Sequence, residues 1–229
     1  MDSGEGNDSI SAAIQNLKPQ ETENFELGTK WDLFSQRLNL TAAFFHTVMD
    51  NARAITDAGT TENIGEKEVN GIEIGITGRV TDNWSVSGGY TWMDSELKKN
   101  GYVCSVPSRT GCPAPGVWIP SPNNGHQFPN TPKHAATLWT TYVFPSIGLT
   151  IGGGASYVDK QYGDAANSKW IPSYTRWDAM ASYAIQDNIS LQLNVQNLTD
   201  KVYFTKAYAS HYASIAPGRS TTLALNVKF

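Results

Sequence analysis

Arg219–Phe229, RSTTLALNVKF, closes the chain with a strict alternation. Leu223, Leu225, Val227 and Phe229 fall on one face of an extended strand; Thr222, Asn226 and Lys228 fall on the other, with small Ala224 between them. Successive side chains of a strand point to opposite faces. An apolar row running into a terminal aromatic therefore suits a strand with lipid on one side and water on the other.

The same period recurs along the chain. Glu23–Trp31 sets Phe25, Leu27, Thr29 and Trp31 against Asn24, Glu26, Gly28 and Lys30. Leu38–Phe45 follows the short connection DLFSQR, and after the 57–61 turn a long segment reaches Val80 through Ile72, Ile74 and Ile76. Trp84–Trp92, Ala136–Phe144, Leu149–Tyr157, Thr175–Tyr183 and Leu191–Gln196 complete the set before the terminal strand. That pattern predicts an all-β protein of about nine antiparallel strands, with short turns and long connections in alternation. The 100–133 connection, the 160–172 segment and the 205–218 segment read as loops.

Composition narrows the environment. The 229 residues carry a formal net charge of −4, with no basic stretch to serve as a phosphate footprint, so nucleic acid is excluded as a partner. Mean hydropathy is −0.36, and no apolar run approaches the roughly 18 residues of a membrane helix. A transmembrane barrel, by contrast, needs only alternating segments of about ten residues. Seven Trp, ten Tyr and eight Phe supply material for interfacial belts. Trp84 and Trp92 share a face eight residues apart, about 19 Å of height on a strand tilted near 45°. Trp31, Tyr142, Phe144, Tyr183 and Phe229 lie at the short-turn ends of the apolar face, and Tyr90, Trp92 and Tyr157 toward the long-loop ends. Two aromatic girdles around a thin apolar band mark a transmembrane β-barrel wall.

Cys104 and Cys112, eight apart in a Pro/Gly-rich segment, read as a small disulfide loop in an oxidising compartment; two unpaired thiols are the alternative. Two thiols without a nearby pair of histidines leave zinc undercoordinated, and His126 and His134 lack a third ligand at suitable spacing, so no metal site is expected. The amino terminus has neither the basic stretch nor the apolar core of a signal peptide.

Several segments resemble the TonB-dependent receptors, the 22-stranded outer-membrane transporters for iron siderophores. They are ETENFELGTKW, NIGEKEVNGIEIGITGRVTDNWSVSGGYTWMDSE, NTPKHAATLWTTY, GGGASYV, SYTRWDAMASY and NVQNLTDKVYF, in that order. YFTKAYASHYASIAPGRS is similar to receptors for iron–catecholate siderophores, and the aromatic ending resembles the assembly signal of outer-membrane barrels, here Leu223, Leu225, Val227 and Phe229. The family's plug, its TonB-contacting box and about thirteen strands have no counterpart. The resemblance thus implies strands fourteen to twenty-two of such a barrel, with 1–20 as the remnant of an extracellular loop and 21–229 as the carboxy-terminal wall. It also implies the bacterial outer membrane as location. Its implied partners are ferric siderophore as transported ligand, membrane lipid, the TonB complex through the absent amino-terminal part, and the barrel assembly machinery through the last strand. No other cofactor is expected.

A ferric catecholate is large, aromatic and anionic, and loop aromatics and cations would catch it by stacking, cation–π and charge attraction. Candidates are Tyr102 and Trp118 in the cysteine-bearing loop, Tyr162 and Trp170 in the next, and Tyr208, His211, Tyr212 and Arg219 in or beside the last. Arg176 and Asp178 share the inward, lumen-facing side of their strand, as a transport-path pair or as a salt bridge supporting the wall. No Ser–His pairing is placed to support the rival reading, a barrel enzyme. A second rival is a soluble β-sandwich binding module.

Overall fold

The computed structural model describes residues 17–106, 117–208 and 212–228. Most of the expected loop remnant at 1–20 thus lies outside the described residues. In chain order the elements are β1 (Glu21–Leu33), β2 (Leu38–Ile55), β3 (Thr61–Arg79), β4 (Trp84–Lys99), β5 (Tyr102–Cys104), β6 (Trp118–Pro120) and β7 (His134–Phe144). They continue through β8 (Leu149–Val158), β9 (Gln161–Tyr162), β10 (Trp170–Ile171), β11 (Tyr174–Gln186), β12 (Ile189–Gln196), β13 (Phe204–Tyr208), β14 (Tyr212–Ile215) and β15 (Ser220–Val227). A 3-10 turn, Pro145–Ile147, joins β7 to β8.

Nine of these strands form one sheet in the order β1-β2-β3-β4-β7-β8-β11-β12-β15. The expected strands are therefore all present and in the expected order. Two features differ from the sequence reading. β2 runs on to Ile55 and β4 to Lys99, beyond the predicted ends, and the loops contain three small hairpins, β5/β6, β9/β10 and β13/β14. In the extension of β2 two apolar residues, Val48 and Met49, stand side by side and two polar ones, Asp50 and Asn51, follow, so the period-two pattern lapses while the strand continues.

Contacts divide the chain into two compact units. One takes the described residues of 1–24, 47–68 and 96–126; the other takes those of 25–46, 69–95 and 127–229. In the first, Lys98 Nζ lies 2.6 Å from Glu96 and 3.4 Å from Glu68, and Lys99 pairs with Glu66. Exposed pairs of this kind contribute little stability singly.

The second unit shows the two faces of the sheet by its register. Trp84 opposes Tyr142, which opposes Ile151, then Ala181, Leu193 and Leu223, an apolar row across six strands. A parallel row runs Gly88–Leu138–Ala155–Trp177. The opposite face carries Ser87–Trp139–Gly154–Asp178 and Thr137–Ser156–Arg176. A Cβ on Gly154 would collide with the Leu138 carbonyl and lie 2.7 Å from the Trp139 ring, so glycine is required where that indole lies against the sheet.

The apolar row is exposed. Leu138 and Trp177 expose 52% and 51% of their surface, and Leu223 and Leu225 still more. Among the described residues the buried apolar set is Leu38, Ala52, Leu97, Ile171, Tyr203 and Ala207. A sandwich would bury the apolar face under a second sheet of comparable size; among the described residues the other sheets are two-stranded hairpins. The exposed face, with Trp31, Trp84, Tyr142 and Tyr183 at the short-turn ends, carries the apolar row and end-placed aromatics expected of the outer face of a barrel. All thirteen residues of β1 are exposed, as expected for a strand that ends the sheet order.

Candidate functional site

Cys104 is disulfide-bonded; Cys112 lies outside the described residues, as do His211 and Phe229. In the first unit Tyr102 opposes Pro120, and Trp118 opposes Cys104. Gly59, in the β2–β3 turn at φ +79°, sits against the Trp118 ring so closely that a Cβ there would lie 2.6 Å from Trp118 Cζ2. That indole is thus committed to packing on the turn, which its position in sequence did not reveal.

In the second unit two hairpins come together, with β13 in contact with both β9 and β10. Tyr162 and Trp170 oppose each other on β9/β10. Tyr208 and Tyr212 oppose each other on β13/β14, with ring centroids 4.8 Å apart and planes 21° from parallel. Trp170 and Tyr212 are 63% and 66% exposed, an unusual state for large aromatics that have a packed alternative. Two cations that sequence reasoning did not single out complete the group. Lys160 Nζ lies 5.2 Å from the Tyr162 ring centroid, and Lys206 Nζ lies 5.0 Å from that of Tyr208. Both are Lys-x-Tyr pairs; period two puts lysine and tyrosine on one face, so the signal was present in the sequence.

The 163–169 turn between β9 and β10 is built around Asp164. Its Oδ1 accepts the Ser168 N–H at 2.9 Å and the Lys169 N–H at 3.3 Å, and its Oδ2 accepts the Ser168 hydroxyl at 2.5 Å. The Ser168 hydroxyl, aided by those backbone donors, holds the carboxyl below its ordinary 3.8. A depressed folded-state value stabilises the turn above the unfolded pKa and loses that stabilisation as pH falls through the folded value. Protection of the Ser168 and Lys169 amides is therefore expected to stay flat between about pH 5 and 8 and to fall only below the carboxylate's ordinary range. Hydrogen exchange across pH checks this; an Asp164→Asn turn retaining the same acid response would refute it.

Arg176 and Asp178 are an ion pair. Nη2 and Nε of Arg176 donate to Asp178 Oδ2 at 2.7 and 3.0 Å, and Asp178 Oδ1 accepts the Asn197 backbone N–H at 2.8 Å. The Tyr174 and Tyr203 rings pack 4.2 Å apart beside them. Both carboxylate oxygens are thus engaged: Oδ2 pairs within β11, and Oδ1 ties β11 to the segment after β12. Arg219 is exposed, and its backbone N–H donates to Asp200 Oδ1 at 2.8 Å, where the chain enters β15. No group of three or more His, Cys, Asp or Glu placed to hold a metal is present among the described residues.

The sequence matches the family described as TonB dependent receptor-like, beta-barrel, over residues 2–198. The chain belongs to the TonB-dependent receptor family. It is 53% identical over 228 residues to the probable TonB-dependent siderophore receptor PiuA of Acinetobacter baumannii, covering 99% of this chain and 29% of that protein. It is 34% identical over 227 residues to the catecholate siderophore receptor Fiu of Escherichia coli K12, covering 97% of this chain and 27% of that one. The crystal structure of PiuA superimposes with a TM-score of 0.85, at 54% identity, over 96% of this chain and 30% of its own. The closed form of Fiu gives 0.78, at 32% identity, over 100% and 30%. The chain thus spans about three-tenths of the length of these relatives, all of which are named as receptors. Family membership places this TonB-dependent receptor wall in the bacterial outer membrane.

Proposed function

We propose that this chain supplies the carboxy-terminal wall and two ligand-contacting hairpins of a receptor that imports a ferric siderophore of catecholate chemistry. The observation that carries the reading is the pair of lysine-capped tyrosines, Lys206 over Tyr208 and Lys160 over Tyr162, beside the exposed rings of Tyr212 and Trp170. A tris-catecholate iron complex offers flat aromatic faces and net negative charge, the two properties this surface complements. PiuA is named as a siderophore receptor and Fiu as a catecholate siderophore receptor, which supports the same ligand class. Energy for uptake comes from the TonB complex through plug residues outside this chain. β15, with Leu223, Leu225 and Val227, is together with the following Phe229 the signal offered to the assembly machinery, and the apolar row contacts lipid. Arg219, exposed where the chain enters β15, belongs to the rim of the binding surface in this reading.

Tyr212→Ala is expected to weaken binding of iron(III) tris(2,3-dihydroxybenzoate) by about tenfold, the value of one well-placed stacking and cation–π contact. Fluorescence titration of the complete receptor in detergent measures it. Unchanged affinity in Tyr212→Ala and in Tyr208→Ala would sink the catecholate assignment.

A further inference from the structure

Three asparagines of the second unit, Asn130, Asn167 and Asn197, occupy the left-handed backbone region at φ 55°, 53° and 51°. Each also turns its carboxamide onto the backbone of another loop or strand residue. Left-handed φ is disfavoured for any residue with a Cβ, and where it persists the surroundings hold it. Asn130 Nδ2 donates to the Ala207 carbonyl at 2.9 Å, while its Oδ1 accepts the Ala207 N–H at 2.8 Å. Ala207 is buried and lies in β13, with its partner Ala213 on the other side. The carboxamide thus acts as one peptide group of an extra strand, satisfying the outer edge of β13.

The same short segment holds the other hairpin. The Asn130 N–H donates to the Tyr162 carbonyl at 2.7 Å. The Phe128 backbone N–H donates to the buried Ser95 hydroxyl at 3.2 Å, anchoring the segment to β4. Asn167, in the β9–β10 turn, clamps Gln127 much as Asn130 clamps Ala207: Nδ2 donates to its carbonyl at 2.9 Å and Oδ1 accepts its N–H at 2.9 Å. Gln127 Nε2 in turn donates to the Thr131 carbonyl. Residues 127–131 therefore hold the Tyr162/Trp170 hairpin by the Tyr162 bond and the Asn167 clamp, the Tyr208/Tyr212 hairpin by the Ala207 clamp, and β4 by the Ser95 bond.

We infer that Asn130 is a positioning residue: it latches the two aromatic hairpins into a single binding surface, so that displacement of one displaces the other. Its consequence for ligand affinity rests on the ferric-siderophore reading; the latch itself does not. Asn130→Gly removes the carboxamide yet accepts the left-handed backbone without strain. Asn130→Asp keeps the acceptor for the Ala207 N–H but turns a carboxylate oxygen toward the Ala207 carbonyl. In the complete receptor without ligand, both variants are expected to raise hydrogen exchange across 204–208 by about tenfold, from the loss of two ordinary hydrogen bonds in Asn130→Gly and of one bond plus oxygen–oxygen repulsion in Asn130→Asp, with β12 and β15 unchanged.

With iron(III) tris(2,3-dihydroxybenzoate) as probe, Asn130→Gly is expected to weaken binding several-fold at unchanged Tm. In a double-mutant cycle with Tyr212→Ala the losses should fall short of additive, because Asn130 acts through that hairpin. Unchanged exchange across 204–208 in both variants overturns the latch. Raised exchange with fully additive affinity losses overturns the positioning role. A wild-type receptor that binds no ferric complex overturns the siderophore reading, and the exchange measurement then decides the latch alone.

Discussion

Leu138→Arg is expected to destabilise the wall in a bilayer by about 2–4 kcal/mol, while Asn194→Arg on the opposite face costs under about 1 kcal/mol. Leu138 is half-exposed and lies midway along β7, between Tyr142 toward one end and His134 at the other. His134 sits beside Tyr90, whose hydroxyl lies 2.9 Å from His134 Nδ1, so each end of this strand carries a ring able to sit at a membrane interface. Between the two, a guanidinium meets hydrocarbon, and no hydrogen-bond partner from the side chains of the row Gly88–Leu138–Ala155–Trp177 can offset its desolvation. Asn194 faces the other way, its carboxamide oxygen accepting from Gln192 Nε2 at 3.0 Å; an arginine there meets water. Urea titration of the folded fraction in lipid vesicles measures both. Equal costs for the two substitutions would mean that the apolar row does not face lipid.

Asn197→Ala is expected to cost about 3 kcal/mol or more, because it removes three hydrogen bonds of a buried carboxamide and leaves a strained backbone behind. Asn197 is 2% exposed. Its Nδ2 donates to the carbonyls of Lys201 at 3.0 Å and Pro217 at 3.4 Å, and its Oδ1 accepts the Lys201 N–H at 2.9 Å. Alanine removes all three bonds and must also hold φ near 51°, which adds about 1 kcal/mol. Asn197→Gly loses the same bonds without that backbone strain, so it should be the milder variant by about 1 kcal/mol. The Asn197 N–H also donates to Asp178, so loosening this corner frees one side of the Arg176–Asp178 pair. Unfolding midpoints of the two variants in detergent test the order. An alanine variant as stable as wild type would show that water replaces the carboxamide at no cost.

Much of the wall is legible in the sequence because its physics is local. A strand between lipid and water must alternate, and the faces read from Trp84 to Val227 agree with the cross-strand register wherever the described pairs run. The extension of β2 to Ile55 escapes that logic, since Val48-Met49 and Asp50-Asn51 break the period-two pattern while the strand continues. The site was half legible. Tyr208 and Tyr212 stack as a pair, yet Lys160 and Lys206, which add cationic character to the tyrosine rings, stand out only once β9 and β13 are known to be strands. The packing of Trp118 on Gly59 likewise has no periodic signal in the sequence.

Strand number, strand order and the division of residues between the two faces were thus determined by the sequence alone, through period-two alternation and the alternating lengths of the connections. Which loops meet was decided only in the tertiary structure. Asn130 and Ala207 are 77 positions apart, and neither carries a periodic signal. Their pairing depends on backbone groups of β13 left unsatisfied until the whole wall has brought a carboxamide to their edge.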